Sequence, residues 1–145
     1  MKELLEELKA EPEANGLDEQ GNPISILIAE DEEYNRELLV YIFEFVGYKI
    51  VGQAKNGREA LELFESTKPD LITMDINMPE VDGIEAIKEI MKINPDAKIM
   101  VLSALSYMVL LKDAMEKGAR GFITKPIQAG SLRDSLIKLK KVAVA

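Results

Sequence analysis

The stretch DLITMDINMPEVDG, residues 70–83, decides the fold. Its apolar run Leu71-Ile72-Thr73-Met74 has the length of a buried strand, and the run ends on a carboxylate, Asp75. Pro79 and Gly83 then break the pattern and predict a loop. Other apolar runs also end on chemically capable groups. The acidic pair Glu30-Asp31 closes Ile24–Ala29, Ser103 closes Lys98–Leu102, and Lys125-Pro126 closes Gly121–Thr124. In an open parallel α/β sheet, the carboxyl ends of the strands are where ligands bind.

Helical patterns alternate with these runs. Asp31–Phe45 carries Leu38, Leu39, Ile42, Phe43 and Val46 on one side, and Gly47 follows as its C-terminal stop. Tyr48–Gly52 reads as a further strand, with Lys49 and Gln53 marking it as an edge. Asn56-Gly57 predicts a turn, followed by helices over Glu59–Ser66, Ile84–Ile93, Tyr107–Glu116 and Ser131–Lys141. Strands alternating with helices predict an α/β fold, a parallel sheet with helices on both faces. Residues 23–145 are read as one domain. Residues 1–22 are read as an N-terminal extension, with Leu4, Leu5 and Leu8 in an amphipathic helix over 2–10. The polar stretch EPEANGLDEQGNP, residues 11–23, reads as a linker, so a solvated tail is expected.

Composition narrows the chemistry. The 145 residues carry a net charge of −8, which disfavours binding to nucleic acid. The chain contains no cysteine and no histidine. Thiol chemistry, Ser-His catalysis and histidine metal sites are therefore excluded. No apolar run approaches the ~18 residues needed to span a bilayer, so no membrane insertion is expected, and the N-terminus lacks the apolar core of a secretory signal.

Glu30, Asp31 and Asp75 converge if the strands that carry them are neighbours. Carboxylates that close raise one another's pKa unless a cation intervenes, and a hard divalent ion such as Mg²⁺ is the natural partner. Asp31 is also placed to cap the following helix, so capping stands beside metal binding. Asp75 can act as a nucleophile on phosphorus. Lys125 supplies a point charge and Ser103 a hydroxyl for phosphoryl oxygens.

Four stretches carry a resemblance: ILIAEDE (26–32), DLITMDINMPEVDG (70–83), MVLSA (100–104) and GARGFITKP (118–126). In this order and spacing they resemble the receiver domain of two-component response regulators, from about Ile24 to Leu139. The resemblance implies a doubly wound, flavodoxin-like five-stranded sheet of order 2-1-3-4-5, an order that periodicity alone does not give. It implies Asp75 as phosphoacceptor, and Mg²⁺ held by Asp31, Asp75 and the backbone carbonyl of Asn77, with Glu30 in the first acidic position. It implies Lys125 as the phosphoryl partner, and Ser103 and Phe122 as switch residues. Phe122 can equally be a plain core aromatic.

The resemblance also implies a phosphoryl donor, a sensor histidine kinase or a small acyl phosphate, and a cytoplasmic location. The last helix ends near Lys141, so a stand-alone receiver is expected, closest to the chemotaxis type. Its output would be a docking face on a protein target such as the flagellar motor switch. A phosphorelay receiver without a chemotaxis role is the alternative. A haloacid dehalogenase-type phosphatase also uses a strand-end aspartate, but position 77 is Asn where such enzymes need a second carboxylate. Tyr107, Leu110, Leu111, Ala114 and Met115 suffice for the core, leaving Met108 and Val109 either in a wider buried stripe or as candidates for an exposed docking patch. The N-terminal helix is a candidate cover for that patch.

Overall fold

Aliphatic runs, each followed by an amphipathic helix, build the sheet. The computed structural model describes residues 1–76, 78, 83–104 and 108–144. Asn77, Pro79, Asp82 and Tyr107 lie outside the described residues. The strands are β1 (Ser25–Ala29), β2 (Lys49–Ala54), β3 (Leu71–Asp75), β4 (Ile99–Ala104) and β5 (Gly121–Lys125). The helices are α1 (Lys2–Ala10), α2 (Glu33–Phe45), α3 (Gly57–Thr67), α4 (Gly83–Ile93), α5 (Met108–Glu116) and α6 (Ala129–Val144). The strand order is β2-β1-β3-β4-β5, with every pairing parallel. This is the doubly wound order that the resemblance implies.

Alternation along the strands divides the core in two. Ile26, Ile28, Met100, Leu102 and Ile123 face α2 and α6, where Ile42, Phe43, Leu136 and Leu139 cover them. Leu27, Ile72, Met74 and Val101 face α3, α4 and α5, against Phe64, Ile87, Ile90 and Leu111. The central strands β1, β3 and β4 are almost wholly buried, which is why they read as unbroken apolar runs. β2 lies at an edge, as Lys49 and Gln53 predict.

Local chemistry sets the helix ends. Asn56, expected in a turn, is the N-cap of α3 and accepts from Glu59 N at 2.8 Å, while Glu59 Oε1 accepts from Lys55 N at 2.8 Å. Gly47 follows α2 with φ +112°, a conformation open to glycine. Asp31 does not cap α2. Glu32 holds the N-cap position without a side-chain cap bond, and the Asp31 carboxylate joins the acidic cluster instead.

The N-terminal segment corrects two expectations. It is no solvated tail: Leu5, Leu8, Ala14 and Asn15 are buried, and the two leucines belong to the core of the α2–α6 face. Residues 11–23 are tied down rather than free. Arg133 donates to Glu11 through Nη2 at 2.5 Å and Nε at 3.2 Å. Lys140 donates to the Pro12 carbonyl and to Asn15 Oδ1. Gly16 N donates to the Val46 carbonyl at 2.9 Å. A Cβ on Gly16 would sit 2.4 Å from Tyr48 N, so only glycine admits this approach. The second correction concerns α5. Because α1 packs on the α2–α6 face, it cannot cover α5, which lies on the other face of the sheet. Within α5, Leu111 and Ala114 are buried, but Leu110 and Met115, expected in the core, stand partly exposed beside Met108 and Val109.

Burying a leucine contributes roughly 1.5–3 kcal/mol, and truncating one in a packed core costs about 2–5 kcal/mol. Urea denaturation should therefore show Leu8→Ala losing at least about 2 kcal/mol, while Val109→Ala, at a residue 84% exposed, stays within about 0.5 kcal/mol of wild type. An unchanged Leu8→Ala midpoint would mean that α1 is not part of the cooperative fold.

Candidate functional site

Parallel pairing puts β1 beside β3, so their carboxyl ends deliver Glu30, Asp31 and Asp75 to one place. Each offers a carboxylate oxygen, and these oxygens lie within 4.8 Å of one another. Glu30 and Asp75 are buried and Asp31 is exposed. Lys125 enters from the end of β5, and its Nζ lies 2.5 Å from Glu30 Oε1 and 2.9 Å from Asp75 Oδ2. Ser103, at the end of β4, is buried, and its hydroxyl donates to the Ala104 carbonyl at 3.1 Å. Glu30, Asp31, Asp75, Ser103 and Lys125 line one cavity of about 220 Å³. A larger, apolar hollow of about 380 Å³ opens beside it, between the start of α2 and the segment after β5; Glu30 and Lys125 border both.

Phe122 is not a core aromatic. It is 39% exposed and pairs with Val101, placing it on the sheet face that carries α5. Two features escape the motif reading. A Cβ on Gly83 would lie 2.3 Å from the Asp75 carbonyl oxygen, so glycine lets α4 start directly against the strand end. Arg36 is buried, and its Nη1 donates to the carbonyls of Glu30 at 3.0 Å and Asp31 at 3.4 Å. The signal for Arg36 was a basic residue in a helix start that otherwise carries Glu32 and Glu33.

The family profile described as the response regulator receiver domain matches residues 26–137. The chain belongs to the response regulator receiver domain family. Among its relatives is the chemotaxis protein CheY of Thermotoga maritima, 47% identical over 116 residues that cover 80% of this chain and 97% of that protein. CheY of Bacillus subtilis is 41% identical, covering 78% of this chain and 94% of that protein. Among solved structures, the CheX–CheY–BeF3–Mg complex of Borrelia burgdorferi contains a chain with a TM-score of 0.79 and 31% identity, covering 86% of this chain and 96% of its own. The response regulator domain of Thermotoga maritima CheB has a TM-score of 0.75 and 36% identity, covering 83% of this chain and 96% of its own.

The receiver's acidic cluster is short of positive charge. Burial, together with the neighbouring Asp75 carboxylate, pushes Glu30 up to about 7, against the opposing pull of Lys125. For Lys125, burial works downward, but the Glu30 and Asp75 carboxylates outweigh it and raise the ammonium above its ordinary value. The donor set fits a small hard cation. An ion about 2.1 Å from each oxygen needs opposite ligands about 4.2 Å apart, so a spread of 4.8 Å closes with small side-chain adjustments. Among the described residues, no helix of the receiver is long and apolar enough to cross a membrane.

The raised value has a consequence for stability. The folded carboxyl holds its proton more tightly than the unfolded one, whose value is 4.5. Glu30 thus contributes stability below about pH 4.5 that is lost as pH rises through about 7. In metal-free buffer, wild type should lose stability relative to Glu30→Gln between pH 5 and pH 8, by on the order of 3 kcal/mol at most. Parallel urea midpoints across that range would show that the charged carboxylate carries no such penalty.

Proposed function

We propose that this receiver accepts a phosphoryl group on Asp75 and signals by docking to another protein, in the manner of a chemotaxis response regulator. The observation that carries this reading is the junction of Asp75, Lys125 and the acidic pair in one cavity. The CheY relatives support the chemotaxis role, since the chain spans nearly their whole length. In this reading, residues 23–145 are the receiver domain, residues 1–22 are an extension added to it, and the protein works in the cytoplasm.

Glu30, Asp31 and Asp75 would hold Mg²⁺, with the carbonyl of Asn77 as a further ligand. The ion supplies charge neutralisation for the acidic cluster and the incoming phosphoryl oxygens. An Asp75 carboxylate oxygen attacks phosphorus on a phosphohistidine of a sensor kinase or on an acyl phosphate. The P–N or P–O bond to the donor breaks, and its electron pair leaves with the imidazole or the acyl carboxylate. The product is an acyl phosphate on Asp75, and attack of water on phosphorus later releases inorganic phosphate and restores the carboxylate. Lys125, already in contact with Asp75, follows the new charge to the phosphoryl oxygens. Ser103 turns its hydroxyl from the Ala104 carbonyl toward them.

The output follows as a population shift, because the phosphoryl group contacts the two states differently. Ser103 pairs in register with Thr124, so movement at the end of β4 bears on β5. Phe122 turns inward, and the face of α5, β5 and α6 changes. Met108, Val109 and Phe122 are exposed on that face and suit a protein target such as the flagellar motor switch.

Intact-protein mass after incubation with acetyl phosphate and Mg²⁺ tests the chemistry. Wild type should gain one phosphoryl group that hydroxylamine removes, and Asp75→Asn should gain none. Equal labelling of both proteins would move the acceptor elsewhere. No labelling of wild type, by acetyl phosphate or by a kinase, would remove the phosphoacceptor role.

A further inference from the structure

Arg36 sits in the first turn and a half of α2, where the helix dipole disfavours a cation, and its side chain is only 8% exposed. Burying a guanidinium there is costly unless its donors are well used. Its backbone N closes the first helical bond, to the Glu32 carbonyl at 2.9 Å. Its side chain then runs back toward the helix N-terminus, the direction in which helical side chains lean. It ends on the carbonyls of Glu30 and Asp31, the two adjacent members of the acidic cluster.

We propose that Arg36 is a positioning residue for the divalent cation: it clamps the backbone that carries the acidic pair, so that less of this backbone has to be ordered when the ion arrives. The inference rests on the metal reading of the cluster given above. Glu30 is anchored in other ways, by its N–H on the Ala54 carbonyl and its carboxylate on Lys125. Asp31 is the exposed member of the cluster, and the Arg36 Nη1 that donates to the Glu30 carbonyl at 3.0 Å also reaches the Asp31 carbonyl, at a longer 3.4 Å. Removing the clamp frees the backbone between β1 and α2, and the ion must then order it on binding. Outer-shell groups of this kind typically change metal affinity by roughly 10–100-fold.

The test is calorimetric titration of MgCl2 into the metal-free full-length protein, comparing wild type, Arg36→Met, Arg36→Lys and the control Arg133→Met. Melting temperatures in EDTA are recorded alongside. Arg36→Met should weaken Mg²⁺ binding roughly tenfold or more, Arg36→Lys should recover part of the loss, and Arg133→Met should bind as wild type does. A merely structural role would lower the EDTA melting temperature and leave the affinity of the folded protein alone. Wild-type affinity in folded Arg36→Met overturns the inference while leaving the metal site standing. If Arg36→Met does not fold, Arg36→Lys decides by the same criterion, unchanged affinity overturning the clamp. Absence of Mg²⁺ binding by wild type removes the metal reading and this inference together.

Discussion

The Lys125 ammonium touches carboxylates from two different strands, Glu30 at 2.5 Å and Asp75 at 2.9 Å, and this shared cation constrains the carboxyl edge of the sheet. Adjacent strands lie about 4.8 Å apart, so β5 stands about 10 Å from β3, with β4 between them. Only a long, flexible cation spans that gap. The end of β4 must also stay low beneath it, and β4 ends in Ser103 and Ala104, two of the smallest side chains available. Glu30 completes the fit from the far side. Its extra methylene, which an aspartate would lack, carries the carboxylate out to Lys125. The first acidic position thus gains an ion pair in exchange for the burial that raises Glu30 to about 7.

That constraint explains why the site was legible in the sequence. Each of its groups ends an apolar run, and a parallel sheet collects the ends of such runs along one edge. The strand order was legible only through the resemblance, because periodicity gives strands and helices but not their neighbours. What escaped depends on contacts between distant parts of the chain. Leu5 and Leu8 look like the apolar stripe of a surface helix until α2 and α6 are in place to bury them. Gly16 reads as a flexible residue, yet it is required by the approach of Tyr48. Arg36 reads as one more charge on a solvated helix, and its bonds to Glu30 and Asp31 appear only when the chain turns back from β1 into α2. On α5 the pattern allows either an exposed patch at Met108 and Val109 or a wider buried stripe; the buried stripe is in fact narrow, so Met108 and Val109 are exposed and Leu110 and Met115 partly so.

The two faces of the sheet are therefore unequal. On one face, α2 and α6 are bound together by α1 and the segment after it, through buried leucines, the Arg133–Glu11 ion pair and the Lys140 contacts. On the other, α5 buries Leu111 and Ala114 and turns its remaining apolar residues outward. Under the proposed mechanism, a charge added at Asp75 is felt at Lys125 and Ser103, the ends of β5 and β4. Those strands border both faces, and the strain relaxes where the packing resists least. The strapped face resists through core contacts that cost several kcal/mol to break, whereas α5 is anchored by a narrow stripe. Met108, Val109 and Phe122 carry exposed apolar surface on the α5 side of the sheet, opposite the face that α1 covers.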